Sequence, residues 1–367
     1  MDVIKNLKDL WYLMPFLDVL TNKISVIFNI INGNKNIKLK IKTGNYVEIP
    51  RKDLVTIISL LGSITFAASS KKIEPNKIEI SFDLKNKFII DLNLLDIENV
   101  KMLELLFEGT RFGATFLDSS NMDSLSIIKK TLKINGDKEK IIETSDGLKF
   151  YLNHITPGII IETFIRQIHE IDSYENWENK IVLDIGAECG DTAIYYASKG
   201  AKVFSFEPMK SHYKSMIKNL SLNPKISEKI TPINAAIGED KELIFYHSNR
   251  KDVAENASFV FNTHGNSASK SKVVGYSLNT AYEKFGINHI DLLKMDCKGC
   301  EFFLKDENLD IVERLKIEFL AFDENHKLED LLKKLEKKNF QYLIFRHEPI
   351  FYKSNSYSAT IYAKKLR

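Results

Sequence analysis

The stretch Val182-Leu183-Asp184-Ile185-Gly186-Ala187-Glu188-Cys189-Gly190-Asp191, with Phe204-Ser205-Phe206-Glu207-Pro208 after it, decides the fold. Residues 181–183 form the apolar run of a strand buried on both faces, and Gly186 and Gly190 bracket a turn into an apolar helix over residues 192–197. Glycine in such a turn lets the backbone approach a ligand where a side chain would collide. A second strand over residues 202–206 ends on Glu207, placed to accept hydrogen bonds from both hydroxyls of a ribose, as the acidic residue of dinucleotide folds does. The pattern predicts a nucleoside held at the carboxyl ends of two parallel strands.

An acid after the second strand serves more than one nucleoside class, and the glycine spacing separates them. A dinucleotide site needs G-x-G-x-x-G so that pyrophosphate can sit on the helix N-terminus. Here the middle glycine is absent and Glu188 stands in the turn, where a carboxylate repels pyrophosphate. S-adenosylmethionine has no phosphate and carries a sulfonium and an ammonium, so acids at positions 184 and 188 suit it. The expected cofactor is therefore S-adenosylmethionine and not NAD.

The chain has 367 residues, enough for two domains with real cores. Its 44% hydrophobic and 28% charged residues predict a soluble globular protein, and a net charge of +3 gives no indication of a nucleic-acid partner. Residues 1–10 lack the apolar core and cleavage site of a signal peptide, so a cytoplasmic location is expected. The apolar segment 54–68 is shorter than the roughly 20 residues a membrane span requires and reads as a buried helix. Residues 11–32 are rich in large apolar side chains but broken by Pro15, Asp18 and Lys23; core packing is the first reading, and peripheral contact with a membrane surface or partner the second. No pattern speaks to oligomeric state.

Residues 37–42 and 77–82 alternate apolar and polar, the period of half-buried antiparallel strands, and helical spacing appears at residues 100–106 and 125–132. Residues 1–135 are thus expected to form an α+β accessory domain, joined through the charged stretch 135–140 to a main domain over 141–367. That domain begins with a hairpin turning at 145–147. A helix over residues 162–171 and a packed Trp177 follow, and then strands alternate with helices, the signature of a mostly parallel doubly wound α/β sheet. The late helix around Leu328, Leu331, Leu332 and Leu335 precedes strands at 341–345 and 359–363, expected as an antiparallel hairpin at the sheet edge.

A second motif reads Ile290-Asp291-Leu292-Leu293-Lys294-Met295-Asp296-Cys297-Lys298-Gly299-Cys300-Glu301, a buried strand ending on an acid and turning into a helix. Asp296 and Glu301 are expected to face one crevice at the switch in strand order. Together the two motifs resemble those of the FkbM family of S-adenosylmethionine-dependent methyltransferases, D-I-G-A-N-x-G and K-x-D-x-E-G-x-E. Glu207-Pro208, Asn234-Ala235-Ala236-Ile237-Gly238 and the loop Gly265-Asn266-Ser267-Ala268-Ser269 follow in family order, over roughly residues 141–365. The resemblance implies a class I methyltransferase fold of Rossmann-like type, acting on hydroxyl groups of sugars or other small molecules. It implies that Asp184, Gly186, Ala187 and Gly190 form the cofactor turn, that Glu207 takes the ribose, and that Asn234 and Ala235 border the adenine. Asp296 follows the fourth strand, where both methyl donor and acceptor are addressed. Asp296 or Glu301 would take the acceptor proton, with His264 a third candidate.

Three positions depart from the motifs: Glu188 for asparagine, Lys298 for glutamate and Cys300 for a small residue. Glu188 and Lys298 lie on turns expected to be neighbours, where they would form an ion pair. All three cysteines, Cys189, Cys297 and Cys300, fall in these turns. They read as small residues filling tight turns, with a disulfide or a zinc site as alternatives. Asp323-Glu324-Asn325-His326 reads as an acidic cap, Asp323 or Asn325 at the N-cap, before it reads as magnesium ligands, so no metal is expected. The expected function is O-methylation of a sugar, glycan or other small-molecule hydroxyl. The alternative is a degenerate methyltransferase fold serving as a binding module, and RNA methylation stands behind both.

Overall fold

The structure, a computed structural model, describes residues 21–40, 141–144, 146–155, 157–165, 168–169, 176–247, 257–262, 268–321, 325–346 and 357–366, with strands at 46–50, 69–74, 77–81 and 87–91. The chain forms two compact units, Met1–Gly147 with Tyr151–Arg166, and Leu148–Phe150 with Gln167–Arg367. Among the described residues no helix is long and apolar enough to cross a membrane.

In the first unit, the helix Lys23–Ile31 and the strand Asn36–Lys40 bury Val26, Ile30, Ile37 and Leu39. Asn22 ties helix to strand: its amide donates to Lys38 O at 2.8 Å and Lys40 N donates to its Oδ1 at 2.7 Å. The strand pairs antiparallel with Tyr46–Pro50, and Ser69–Glu74, Lys77–Ser81 and Lys87–Asp91 form an antiparallel three-stranded sheet. Both alternating segments are therefore strands. The helices expected at 54–68, 100–106 and 125–132 and the connection at 135–140 lie outside the described residues. The helix expected over 162–171 starts earlier: Pro157–Ile160 is α-helical and Ile161–Ile165 continues as a π turn. Proline suits a first helical position because its missing N–H has no partner to lose there.

The second unit is built, in chain order, from β1 (Ile181–Ile185), α1 (Asp191–Ser198), β2 (Lys202–Phe206), α2 (Lys210–Ser221), β3 (Ile230–Ile233), β4 (Ala236–Ile237), β5 (Glu242–His247), β6 (Ser269–Tyr276), α3 (Leu278–Phe285), β7 (Leu292–Met295), β8 (Arg314–Ala321), α4 (Leu328–Lys337), β9 (Phe340–Arg346) and β10 (Tyr357–Lys365). Seven strands make one sheet in the order β3-β2-β1-β7-β8-β10-β9. It is parallel from β3 to β8, and β10 runs antiparallel to both neighbours. The closing pair expected at the edge is present, but its second strand is interior. β10 buries Ala359, Ile361 and Ala363, whereas β9, at the edge, leaves Leu343 and Phe345 exposed. β4, β6 and β5 form a separate three-stranded sheet that no sequence signal singled out.

Side chains alternate across the central sheet. Leu183, Ile185, Leu293, Met295, Leu315 and Ile317 belong to one apolar cluster. Between them in sequence, Asp184, Lys294 and Lys316 pair in register across β1, β7 and β8 and occupy the opposite face. Trp177, expected as a packed aromatic, is buried edge-on against Tyr196 of α1 with ring centroids 4.7 Å apart. The strand order reverses beside β1, so the carboxyl ends of β1 and β7 border the crevice where open α/β sheets bind ligands.

Candidate active site

β1 runs into Gly186, whose φ of 82° is left-handed and whose Cα is pressed on the backbone after β7; a Cβ there would collide with Asp296 O. Gly186 N and Ala187 N both donate to Phe206 O, at 2.9 and 3.0 Å, which fixes the turn to the end of β2. Gly190, also at φ 82°, opens α1. Between them Glu188 has φ 44°, a left-handed value that asparagine adopts more readily than glutamate. The Glu188 N–H donates to Glu207 Oε2 and the Met209 N–H to Glu207 Oε1, each at 2.8 Å. Desolvation outweighs these bonds and pushes the buried Glu207 carboxyl up to about 8. His212 Nδ1 stands 3.8 Å from Oε1. The Asn234 amide donates to Glu207 O at 2.8 Å and Pro208 O at 3.1 Å, beside the buried Ala235.

Asp184 is completely buried under this turn, with Lys294 Nζ 3.0 Å from its Oδ1. Lys294 also donates to Gly186 O at 3.2 Å, so one ammonium braces both the acid and the turn. Burial pushes Asp184 up, and the charge of Lys294 pulls it back. Burial likewise disfavours the Lys294 ammonium, but Asp184, Asp296 and Asp191 together hold it charged. One strand further, Lys316 Nζ donates to Ile168 O and His169 Nδ1, both at 2.9 Å, and Thr192 Oγ1 is 3.3 Å from His169 Nε2. Burial, then the Lys316 charge, drives His169 well below the usual imidazole value, so it is neutral and Nδ1 is the acceptor. Sequence reasoning placed Asp184 in the cofactor turn and Lys294 in the second motif, but passed over Lys316 and His169. The signal of the row was a charged residue at alternate positions within otherwise apolar strands.

After β7, Asp296 N donates to Ile185 O at 2.9 Å, which brings the second motif against the first. Register places Met295 opposite Ile317 and carries Asp296 to Glu318 of β8. The two carboxyl groups share a hydrogen bond. Glu318 is pushed up to about 9, first by the Asp296 charge, then by that bond and by burial. Burial works to raise Asp296 too, but Lys294, the hydrogen bond from Glu318 and Lys298 hold it far below the usual carboxylate range.

The turn beyond differs from expectation in its cysteines and in the element that follows it. Cys297 and Cys300 are joined in a disulfide rather than standing as separate small side chains, and Cys189 is a buried free thiol in the facing turn. The closeness follows from a tight turn with left-handed φ at Lys298 (53°) and Gly299 (129°). No helix starts here; Cys300–Phe303 is a short 3-10 turn. Lys298 interacts most strongly with Asp296 and Glu318, and after them with Glu188, the partner expected of it. Glu301 is buried with Oε2 accepting from Gly299 N at 2.7 Å and Oε1 from Leu320 N at 3.2 Å. Burial raises its carboxyl to about 7. Both of its oxygens hold the turn against β8.

His264, Asp323 and Glu324 lie outside the described residues. Helix α4 is not capped by Asn325: the N-cap is Lys327, in extended backbone and without a side-chain cap bond. His326 stacks on Phe302, with ring centroids 3.9 Å apart.

This strand order, with the reversed strand inserted next to the edge and acids at the ends of β2 and β7, is the class I methyltransferase fold. Residues 184–342 match the profile of the methyltransferase FkbM domain, the family whose motifs the two turns resemble. No curated protein shows a significant match over the chain. Among solved structures, an rRNA methylase from Streptococcus thermophilus is 13% identical, covering 55% of this chain and 96% of that one at a TM-score of 0.34. Pyrococcus horikoshii TYW2 in complex with MeSAdo is 12% identical, covering 63% and 74%, TM-score 0.35. Magnesium protoporphyrin IX methyltransferase from Synechocystis PCC 6803 with bound SAM is 14% identical, covering 57% and 81%, TM-score 0.32. Superpositions this loose carry no argument about chemistry.

Proposed function

We propose that this methyltransferase uses S-adenosylmethionine and methylates an oxygen of a sugar, glycan-like or other small hydroxyl acceptor, with residues 1–135 as an accessory α+β domain. Glu207 carries the cofactor reading. A buried carboxyl with one backbone N–H on each oxygen keeps lone pairs free, and a vicinal diol supplies the two O–H donors that favour its ionised form. The turn 186–190, braced by Lys294, lies beside it, and Asn234 and Ala235 border the same strand ends.

When bound, the cofactor supplies an electrophilic methyl carbon whose bond to sulfur leaves its electron pair on sulfur. The chain's own groups have two tasks, alignment of the acceptor and removal of its proton. Asp296 is the group for the second task, since it is ionised, partly exposed and placed at the end of β7. Glu301 serves the turn. Thermal shift with S-adenosylmethionine, S-adenosylhomocysteine and NAD tests the reading: the first two should raise the melting temperature and NAD should not. Glu207→Ala should remove the shift. Absence of a shift from either sulfur nucleoside would sink the assignment.

A further inference from the structure

Asp296 does not act alone. Adjacent parallel strands β7 and β8 put Lys294 opposite Lys316 and Met295 opposite Ile317, and the next position on each brings Asp296 level with Glu318. One residue separates Lys294 from Asp296 and one separates Lys316 from Glu318, so all four side chains fall on the face opposite the apolar cluster. Two carboxyl groups joined by a hydrogen bond must hold one proton between them, because two carboxylates have no donor. Lys294 and Lys298 flank the pair and Lys316 stands behind it. Three ammonium groups favour a single negative charge on the pair over none. Coulomb repulsion between the acids disfavours two.

We propose that Glu318 is a positioning residue for the acceptor reaction: its carboxylic O–H holds one oxygen of the Asp296 carboxylate and leaves the other to face the acceptor hydroxyl. The inference rests on the methyltransferase reading and adds to it a residue that neither sequence motif contains. As the acceptor oxygen takes the methyl group, its O–H pair stays on oxygen and the proton passes to the outer oxygen of Asp296. The Glu318 proton does not leave. The pair goes from monoanion to neutral diacid, a form that loses its extra proton to water because the lysines oppose it.

The active form therefore requires Glu318 to be protonated, and rising pH should abolish it as the proton is lost. The charged and titratable groups facing the pair are Lys294 on β7, Lys298 in the turn and Lys316 on β8; Asp184, Glu188, Asp191, Glu207, Glu301 and His169 also interact with Asp296 or these lysines, and saturation with the cofactor product holds Glu207 ionised. Nearby acids raise Lys294 and Lys298 above the ordinary lysine value, and burial keeps His169 neutral. Thr360 of β10, opposite Glu318, does not titrate.

The test is carboxyl carbon NMR of the full-length protein labelled with carbon-13 in its glutamate side chains and saturated with S-adenosylhomocysteine. One glutamate resonance, absent in Glu318→Gln, should titrate near about 9. In Asp296→Asn it should titrate at least about two pH units lower, since the repelling charge is gone. Methyl transfer to a panel of methyl glycosides supplies the kinetic arm. The wild-type rate should fall as pH rises through about 9. Glu318→Gln, which still donates to Asp296, should keep the neutral rate within about threefold and lose that fall, whereas Glu318→Ala should lower kcat about tenfold or more with KM for the cofactor unchanged. A Glu318 resonance that titrates in the ordinary carboxylate range, or a basic limb that survives in Glu318→Gln, overturns the proposal. Failure to bind S-adenosylhomocysteine, or no turnover of any glycoside, counts against the methyltransferase or acceptor reading instead, and the resonance still decides whether the proton is shared.

Discussion

Gly186 and Gly286 both sit at positive φ, at 82° and 65°, yet they should respond very differently to a methyl group. At Gly286, which closes α3, a Cβ meets nothing within 4 Å, so Gly286→Ala costs only the left-handed backbone term, roughly 1 kcal/mol. At Gly186 the added carbon runs into the Asp296 carbonyl, a backbone group that cannot rotate away. Gly186→Ala should therefore cost about 3 kcal/mol or more and weaken binding of S-adenosylhomocysteine, as chemical denaturation and calorimetry would show. Equal losses at the two glycines would mean that the two turns are not in contact. Gly186 and Glu207 were legible from sequence because a turn glycine and a strand-end acid carry their chemistry in their own spacing. Glu318 was not, because Lys316-Ile317-Glu318-Phe319 reads as a buried strand until the register with β7 supplies a partner for each charge.

At the scale of elements, the parallel core was readable because each strand is a short apolar run closed by a glycine turn or an acid. The place of β10 was not readable, since the pattern of a closing antiparallel pair does not say which of its two strands will pair with β8. The contact between β1 and β7 is the element pair on which the site depends, and the Asp184–Lys294 pair lies at its centre. Removing one buried partner leaves the other uncompensated. Lys294→Met should cost about 3–5 kcal/mol in urea unfolding. Joining it to Asp184→Asn should recover part of that loss, because the orphaned charge is then gone. A double variant that loses the full sum of the single losses would show that the two side chains act independently.

For the whole molecule, the buried acids set how stability and ligand binding depend on pH. Folded values of about 7 for Glu301, about 8 for Glu207 and about 9 for Glu318 all lie above the roughly 4.3 of an unfolded glutamate. Below the unfolded value both states are protonated and the contribution is fully present. Above it the folded state keeps protons that the unfolded state has lost, so stability falls as pH rises, until each group passes its folded value. His169 acts oppositely: its depressed value costs stability as pH drops below about 6.5. Three acids outweigh one imidazole, and the ligand-free protein should melt at progressively lower temperature from about pH 5 to about pH 9. Binding of a ribose reverses one of these terms, since two donated hydroxyls favour the ionised Glu207 and expel its proton. Affinity for S-adenosylhomocysteine should rise by up to about tenfold per pH unit as pH approaches about 8 and then level off. Glu207→Gln, which has no proton to expel, should bind more weakly and without that slope. Calorimetry in two buffers of different ionisation enthalpy reads the released proton directly, and no release at neutral pH would remove Glu207 from the ribose.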